Sequence, residues 1–277
     1  MARPRGGGYH ARQCRRQGVA AMAWDPKVYA EFAQPRLRPA LDLMARIEAD
    51  APVRVADLGC GPGNVTRLLK LRWPEAEVTG VDSSPEMLES ARAGGGGVTY
   101  VDGDMAAWEA GAPLDVLFSN AALHWTGDHD RLFPRLLAMV APGGTLAVQM
   151  PHNHYAASHS LMAEAAAAGP WREVLAPLAA RFPVAEPPFY YDLLAPRARW
   201  LDIWETEYLH VLSGDNPVVA WTMGTALRPL LAALEGRPDW RDAFLADYAA
   251  RIQAAYPPRS DGKTLLPFRR LFLVARR

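Results

Sequence analysis

Cysteine is nearly absent from this sequence: Cys14 and Cys60 are the only two. They offer no disulfide framework, so a reducing compartment, the cytoplasm, suits the chain. No apolar run approaches the length of a transmembrane helix, and the N-terminal tail lacks the apolar centre of a signal peptide. Nor is there a surplus of charge, since Lys+Arg and Asp+Glu both number 30. That balance hides an asymmetry. Residues 1–21 carry Arg3, Arg5, Arg12, Arg15 and Arg16 and no acid, which leaves 25 basic against 30 acidic residues in the remainder, a net of −5. A mildly acidic body argues against nucleic acid as a partner.

What is present is a chain of 277 residues, half of them hydrophobic and 22% charged, enough for one large domain or a domain with a cap. The tail, with three consecutive glycines and few large apolar residues, reads as a disordered arm or as the product of a start codon set too early. Met22 opens the patterned sequence. Trp24, Tyr29, Phe32, Arg36 and Arg38 form an aromatic and basic segment, either packing and solubility or a lid. A helix with Pro39 near its start follows.

The organising stretch is V-R-V-A-D-L-G-C-G-P-G-N, Val53 to Asn64. A short apolar run ends at Asp57-Leu58 as a buried parallel strand does, and Val65, Leu68, Leu69 and Trp73 continue at helical spacing. Gly59, Gly61 and Gly63 let the backbone turn sharply and let a ligand lie against the main chain. A dinucleotide site wants G-x-G-x-x-G, which is absent here. The pattern D-x-G-x-G-x-G instead resembles the S-adenosylmethionine (SAM) loop of Rossmann-like methyltransferases.

Later segments fall where such a fold needs them. Glu77 to Asp82 reads as the second strand, ending in an acid able to accept both ribose hydroxyls. Ser84-Pro85 caps a helix whose Met87 and Leu88 are expected to face inward. Val98 to Val101 is the third strand, with Asp104 after it to meet an adenine edge and Met87 or Met105 to pack on the adenine face. Asn64 and Ser83, adjoining the loop and Asp82, join the expected cofactor set. Asp115 to Ser119 is the fourth strand, and beyond its end Asn120, His124 and Trp125 should line the crevice near the reacting methyl group. A helix to Val140 and a strand Thr145 to Met150 complete five strand units.

We read residues 22–150 as the SAM-binding core with its N-terminal lid, 151–202 as a helical cap, and 203–277 as the end of the sheet with inserted substrate-binding helices. The cap carries helical runs over 158–168 and 171–182, with Tyr190-Tyr191-Asp192 in a proline-rich connection. Strands over Ile203 to Val211 and Pro267 to Ala275 flank two helices, roughly 216–234 and 240–255. His152, His154 and His159 are expected to be incidental, because no acid or cysteine joins them at ligand spacing; no metal is predicted. The fold class is a Rossmann-like α/β protein: seven strands, mostly parallel, helices on both faces, and a helical cap.

W-D-P-K-V-Y, D-L-G-C-G-P-G-N, G-V-D-S-S-P-E-M-L, A-V-Q-M-P, Y-Y-D-L-L, L-R-P and R-L-F-L-V-A-R together are similar to the trans-aconitate 2-methyltransferase family, from about Trp24 to Arg276. The resemblance implies methyl transfer from SAM to a carboxylate of trans-aconitate, giving a monomethyl ester and S-adenosylhomocysteine. It implies a small-acid partner held by Arg228 and Arg270, by Arg36 or Arg38 from the N-terminal segment, and by Tyr29, Tyr190 and Tyr191. The chain is expected to act as a monomer or weak homodimer, without nucleic acid or membrane. Two departures stand out: His124, where a member of the family has glutamine, and His152 after M-P. The alternatives are a different small acid, a natural-product hydroxyl or amine with His124 as base, or a SAM-binding protein without turnover.

Overall fold

The computed structural model describes residues 37–179 and 184–277. The basic tail, Cys14, Trp24, Tyr29, Phe32 and Arg36, on which expectations were set, lie outside these residues. Five parallel strands lead: β1 Arg54–Leu58, β2 Glu77–Asp82, β3 Thr99–Asp102, β4 Leu114–Asn120 and β5 Val140–Pro151. Two long strands, β6 Trp200–Leu212 and β7 Thr264–Arg276, complete one sheet in the order β3-β2-β1-β4-β5-β7-β6. β7 runs antiparallel to both β5 and β6. This is the mostly parallel seven-stranded sheet that the alternation of strand and helix signals implied.

The helices are α1 Arg38–Ala45, α2 Asn64–Arg72, α3 Pro85–Ala93, α4 His129–Met139, α5 Ala157–Ala168, α6 Arg172–Ala179, α7 Pro187–Leu194, α8 Pro217–Met223, α9 Arg228–Ala232 and α10 Pro238–Ala255. Among the described residues no helix is long and apolar enough to cross a membrane.

β1 sits mid-sheet, so every residue of it except Arg54 is buried. Its start is held by Asp115, whose carboxylate accepts from the amides of Val53 and Arg54 at 2.8 Å each. The main core fills the sheet's flank with Leu58, Leu117, Phe133, Leu136, Leu146 and Leu273. A second core, lying beside the carboxyl end of β5, gathers Met162 of α5, Leu175 of α6, Val218 of α8, Leu230 of α9 and Phe244, Tyr248 and Ile252 of α10, with Trp171 and Leu227 just ahead of α6 and α9, around Leu266 and Phe268 of β7. Tyr248 pins it by donating to the carbonyl of Ser158 at 2.9 Å.

Three sequence expectations need correction. Tyr190 and Tyr191 lie in α7, not in a connection: the adjacent prolines Pro187-Pro188 have the φ a first helical turn requires and so open the helix. The single helix expected over 216–234 is two short ones, because α8 ends at Gly224 and a tight turn carries the chain to Pro229 near the start of α9. Met87 does not face inward. α3 buries Leu88 and Ala91, and Met87, one position off that stripe, is 36% exposed.

Candidate functional site

The glycine loop closes over the end of β2. The amides of Gly59 and Cys60 both donate to the carbonyl of Val81, at 2.8 and 2.9 Å. The Gly61 amide donates to Oδ2 of Asp82 at 2.8 Å and the Ser84 amide to Oδ1 at 2.9 Å, so both carboxylate oxygens are fixed and each keeps a free lone pair. Gly59 and Gly61 adopt φ of +78° and +53°, a region side chains disfavour. They serve different ends. A Cβ on Gly59 would stand 2.2 Å from that of Ala122, whereas one on Gly61 would meet nothing within 4 Å. Gly59 lets elements approach; Gly61 keeps a surface open.

Below the loop Asp57 is buried in β1 and accepts from the Thr66 hydroxyl at 2.6 Å. Burial pushes its carboxyl up to about 7, the Thr66 bond opposing and the Asp82 charge adding. The Cys60 thiol is pushed up to about 12 by burial and by the charges of Asp57 and Asp82, which makes it inert. Around the loop, Asn64, Ser83, Met87 and Asp104 are exposed and Met105 is half-buried. Asn64 accepts from Arg67 at 2.7 Å and Asp104 from the Ala106 amide at 2.9 Å. Asn120 ends β4 with its Oδ1 enclosed and without a hydrogen-bond partner.

Past Asn120 the chain turns through Ala121, a non-glycine residue at φ +52°, into a short 3-10 turn Leu123–Trp125. Such a conformation costs roughly 1–2 kcal/mol and here redirects the chain along the wall of a cavity of about 910 Å³. That volume lies high in the range for small-molecule sites, roughly 300–1,000 Å³. Ala122 meets the glycine loop and Ala121 lines the cavity, so loop and cavity join at these two residues.

The lining includes His124, Trp125, Asn153, His159, Arg228 and Arg270, and among the described residues it includes no carboxylate. Arg270 is the buried charge: it is 5% exposed, donates to Gln149 Oε1 at 3.4 Å and lies 4.7 Å over the ring of Phe268. Arg228 also lines the cavity but is exposed; it opens α9, whose buried residue is Leu230. His124 has its Nδ1 enclosed without a hydrogen-bond partner. Burial first, then the charges of Arg270, His129 and His159, pushes it down to about 3, so it is neutral at physiological pH. Trp125 is 57% exposed and tilts against His124 with ring centroids 4.7 Å apart.

Other expected acceptor residues are placed elsewhere. Tyr190 belongs to the main core, its hydroxyl bonded to His129 Nδ1 at 2.7 Å and to the Ala185 amide at 3.1 Å. Tyr191 is exposed, and neither tyrosine belongs to the cavity lining. The pair sits on a helix, so one points into the core and the other away from it. Arg38 pairs with Asp42 at 3.8 Å and lies over the Tyr208 ring; it is not among the lining residues. The histidines after β5 do have acids beside them: His152 Nδ1 is 2.5 Å from Glu205, and Nε2 is 3.7 Å from Glu186. These acids lie 34 and 53 positions away, so no local spacing could show them.

Two residues outside the expected set also matter. Gln149 is fully buried in β5, in register with Asn120 on one side and Phe272 on the other, and holds Arg270. Its signal was there: one amide in the apolar run A-V-Q-M-P. Thr66, which holds Asp57, gave none beyond its place in the first turn of α2.

Comparison with known proteins gives a consistent picture. Residues 55–144 match a family described as a methyltransferase domain. A trans-aconitate 2-methyltransferase of Azoarcus sp. (strain BH72) is 50% identical over 252 residues, covering 91% of this chain and 98% of that one. One from Streptomyces coelicolor is 48% identical over 269 residues, covering 94% and 88%. Among solved structures, the YcgJ protein from Bacillus subtilis aligns with a TM-score of 0.55 at 14% identity, covering 87% of this chain and 99% of that one. Haemonchus contortus phosphoethanolamine N-methyltransferase 2, solved with S-adenosyl-L-methionine, aligns with a TM-score of 0.50 at 18% identity, covering 86% of this chain and 52% of that one.

Proposed function

Because the chain belongs to the trans-aconitate 2-methyltransferase family, we propose that its cavity holds trans-aconitate beside the SAM-binding loop, with Arg270 as the principal anchor. The enzyme is a SAM-dependent methyltransferase that esterifies a carboxylate of trans-aconitate and releases S-adenosylhomocysteine. The observation that carries the acceptor reading is the cavity's charge: two arginines, and no carboxylate among the described residues that line it. Such a lining favours an anion and disfavours an amine.

The residues of the loop fit SAM. Gly61 leaves its face clear where a side chain would obstruct an amino-acid or ribose group. The carboxylate of Asp82, already oriented by two amides, has lone pairs left for ribose hydroxyls. Asn120 Oδ1, enclosed and without a partner, supplies an acceptor at the seam between loop and cavity. Asn64, Ser83, Met87, Asp104 and Met105 ring the same end of the sheet, which supports their assignment to the cofactor's outer contacts. When bound, SAM supplies an electrophilic methyl group on a sulfonium.

The chain's own residues have little proton chemistry to do. A substrate carboxylate with an ordinary pKa near ~4 is ionised at neutral pH and needs no base. His124, held neutral, is a weak base and suits a role in shaping the pocket and hydrogen-bonding the acid. Arg270 presents a planar fork that matches a carboxylate bidentately, and Gln149 and Phe268 hold that fork in place. Arg228, at an exposed position, suits a second carboxylate.

The free, buried thiol of Cys60 supports a cytoplasmic location. The decisive experiment measures S-adenosylhomocysteine formed by purified protein with SAM, with and without trans-aconitate, with cis-aconitate and isocitrate as controls. Stimulation by the trans isomer is expected. Tight SAM binding with no stimulation by that acid would overturn the acceptor assignment and leave the cofactor site standing.

A further inference from the structure

At the rim of the cavity, where β5 ends, His152, His154 and Glu186 each bring one donor atom within 4.8 Å of the others. His152 comes from the first residue after β5, and Glu186 is the residue that precedes α7. The His152 side chain is 2% exposed, and its Nε2 is enclosed without a hydrogen-bond partner, facing Glu186 Oε1 at 3.7 Å. Its other nitrogen, Nδ1, lies 2.5 Å from Glu205 Oε1 on β6. An ionised carboxylate accepts but does not donate, so the tautomer of a neutral imidazole that suits Glu205 carries its proton on Nδ1 and its lone pair on Nε2. A buried imidazole with its outer nitrogen bound to a carboxylate, and its inner one turned to a second histidine and a second carboxylate, is the donor arrangement of a metal site.

We propose that His152, His154 and Glu186 bind one divalent transition-metal ion, with Zn²⁺ as the best match, and that Glu205 orients His152 for it. Two imidazole nitrogens and one carboxylate oxygen suit Zn²⁺, which leaves a fourth position for water. Tetrahedral ligands about 2.0–2.1 Å from Zn²⁺ stand roughly 3.3 Å apart. The His152–Glu186 pair is near that spacing, and the exposed Glu186 side chain can turn to close the remainder. The ion would tie the segment after β5 to the start of α7 without entering the methyl transfer.

The test uses tag-free, full-length protein stripped by a chelator and then titrated with Zn²⁺ and with Co²⁺. The expected result is one equivalent bound, with the visible bands of tetrahedral Co²⁺ and a rise in the unfolding temperature on adding Zn²⁺. His154→Ala and Glu186→Gln should each weaken Zn²⁺ binding by at least 10-fold, and Glu205→Gln by roughly 10–100-fold, as loss of such an orienting partner does. SAM affinity, measured on the same preparations, reports that each variant is folded. Failure to bind a stoichiometric ion would overturn the site. So would equal Zn²⁺ affinity in the wild type and both ligand variants, which would mean the ion sits on other histidines.

Discussion

The amide of Gly61 donates to Oδ2 of Asp82 at 2.8 Å, so the carboxylate that ends β2 also fixes the middle glycine of the loop after β1. Removing that carboxylate therefore removes a ligand group and loosens the loop together. Asp82→Ala should weaken SAM binding by one to two decades, since hydrogen bonds to charged groups are worth roughly 1.5–3 kcal/mol. Calorimetric titration checks this, and unchanged affinity would remove Asp82 from the cofactor site.

Asp57 makes stability depend on pH in an unusual direction. Its carboxyl titrates at about 7 in the fold against an ordinary 3.8, so between those values the folded chain keeps a proton the unfolded chain has lost. The stability this gives is full below about pH 4 and is lost as pH rises through 7. The total is on the order of 4 kcal/mol. Asp57→Asn cannot ionise, so its stability relative to wild type should climb across that window. Urea unfolding of both proteins from pH 4 to 8 measures it; parallel profiles would contradict the assignment.

His124 tests the acceptor class. With its pKa near 3, the rate with trans-aconitate should stay flat from about pH 6 to 8. Flatness alone does not separate the readings, since an always-neutral histidine could serve as base without titrating there. Substitution does. His124→Gln keeps a hydrogen-bonding group but no base, and should retain the activity within about tenfold, below the 10²–10⁴-fold that general-base catalysis contributes. A loss in that larger range would point to a hydroxyl acceptor.

The two arginines should differ in weight. Truncating buried Arg270 to Ala should cost about 2–5 kcal/mol in kcat/KM for the acid, while Arg228→Ala, at an exposed position, should cost about 1 kcal/mol or less. SAM affinity should be unchanged in both. Equal losses would mean that Arg228 becomes enclosed when substrate binds.

Much of this was legible in the sequence. Asp57, the three glycines, Asp82 and the end of β4 follow one another at spacings that a parallel sheet dictates, and local patterns carry local structure. Arg270 was visible only through the family resemblance, and its surroundings were not: Gln149 reaches it across β5 and β7, 121 positions away. Tyr190 and Tyr191 were misread because Pro187-Pro188 signals a loop as readily as a helix start. The His152 cluster was hidden for the opposite reason. Its residues are unremarkable in sequence, and only the antiparallel return of β6 and the start of α7 bring the acids to it.

The seam at Ala121 and Ala122 divides labour between two hydrophobic cores. β1, which leads into the glycine loop, rests on the main core and Cys60 of the loop on a small cluster with Leu88 and Tyr100, while α5, α6, α8 and α9, which wall the cavity, rest on the second core. On the proposed assignment of cavity and loop, mutations in the second core reshape what is methylated while leaving the methyl donor's berth intact. On that assignment a lineage carrying this architecture would exchange one acid for another by drift in a few helices, without passing through an ancestor that has lost its donor.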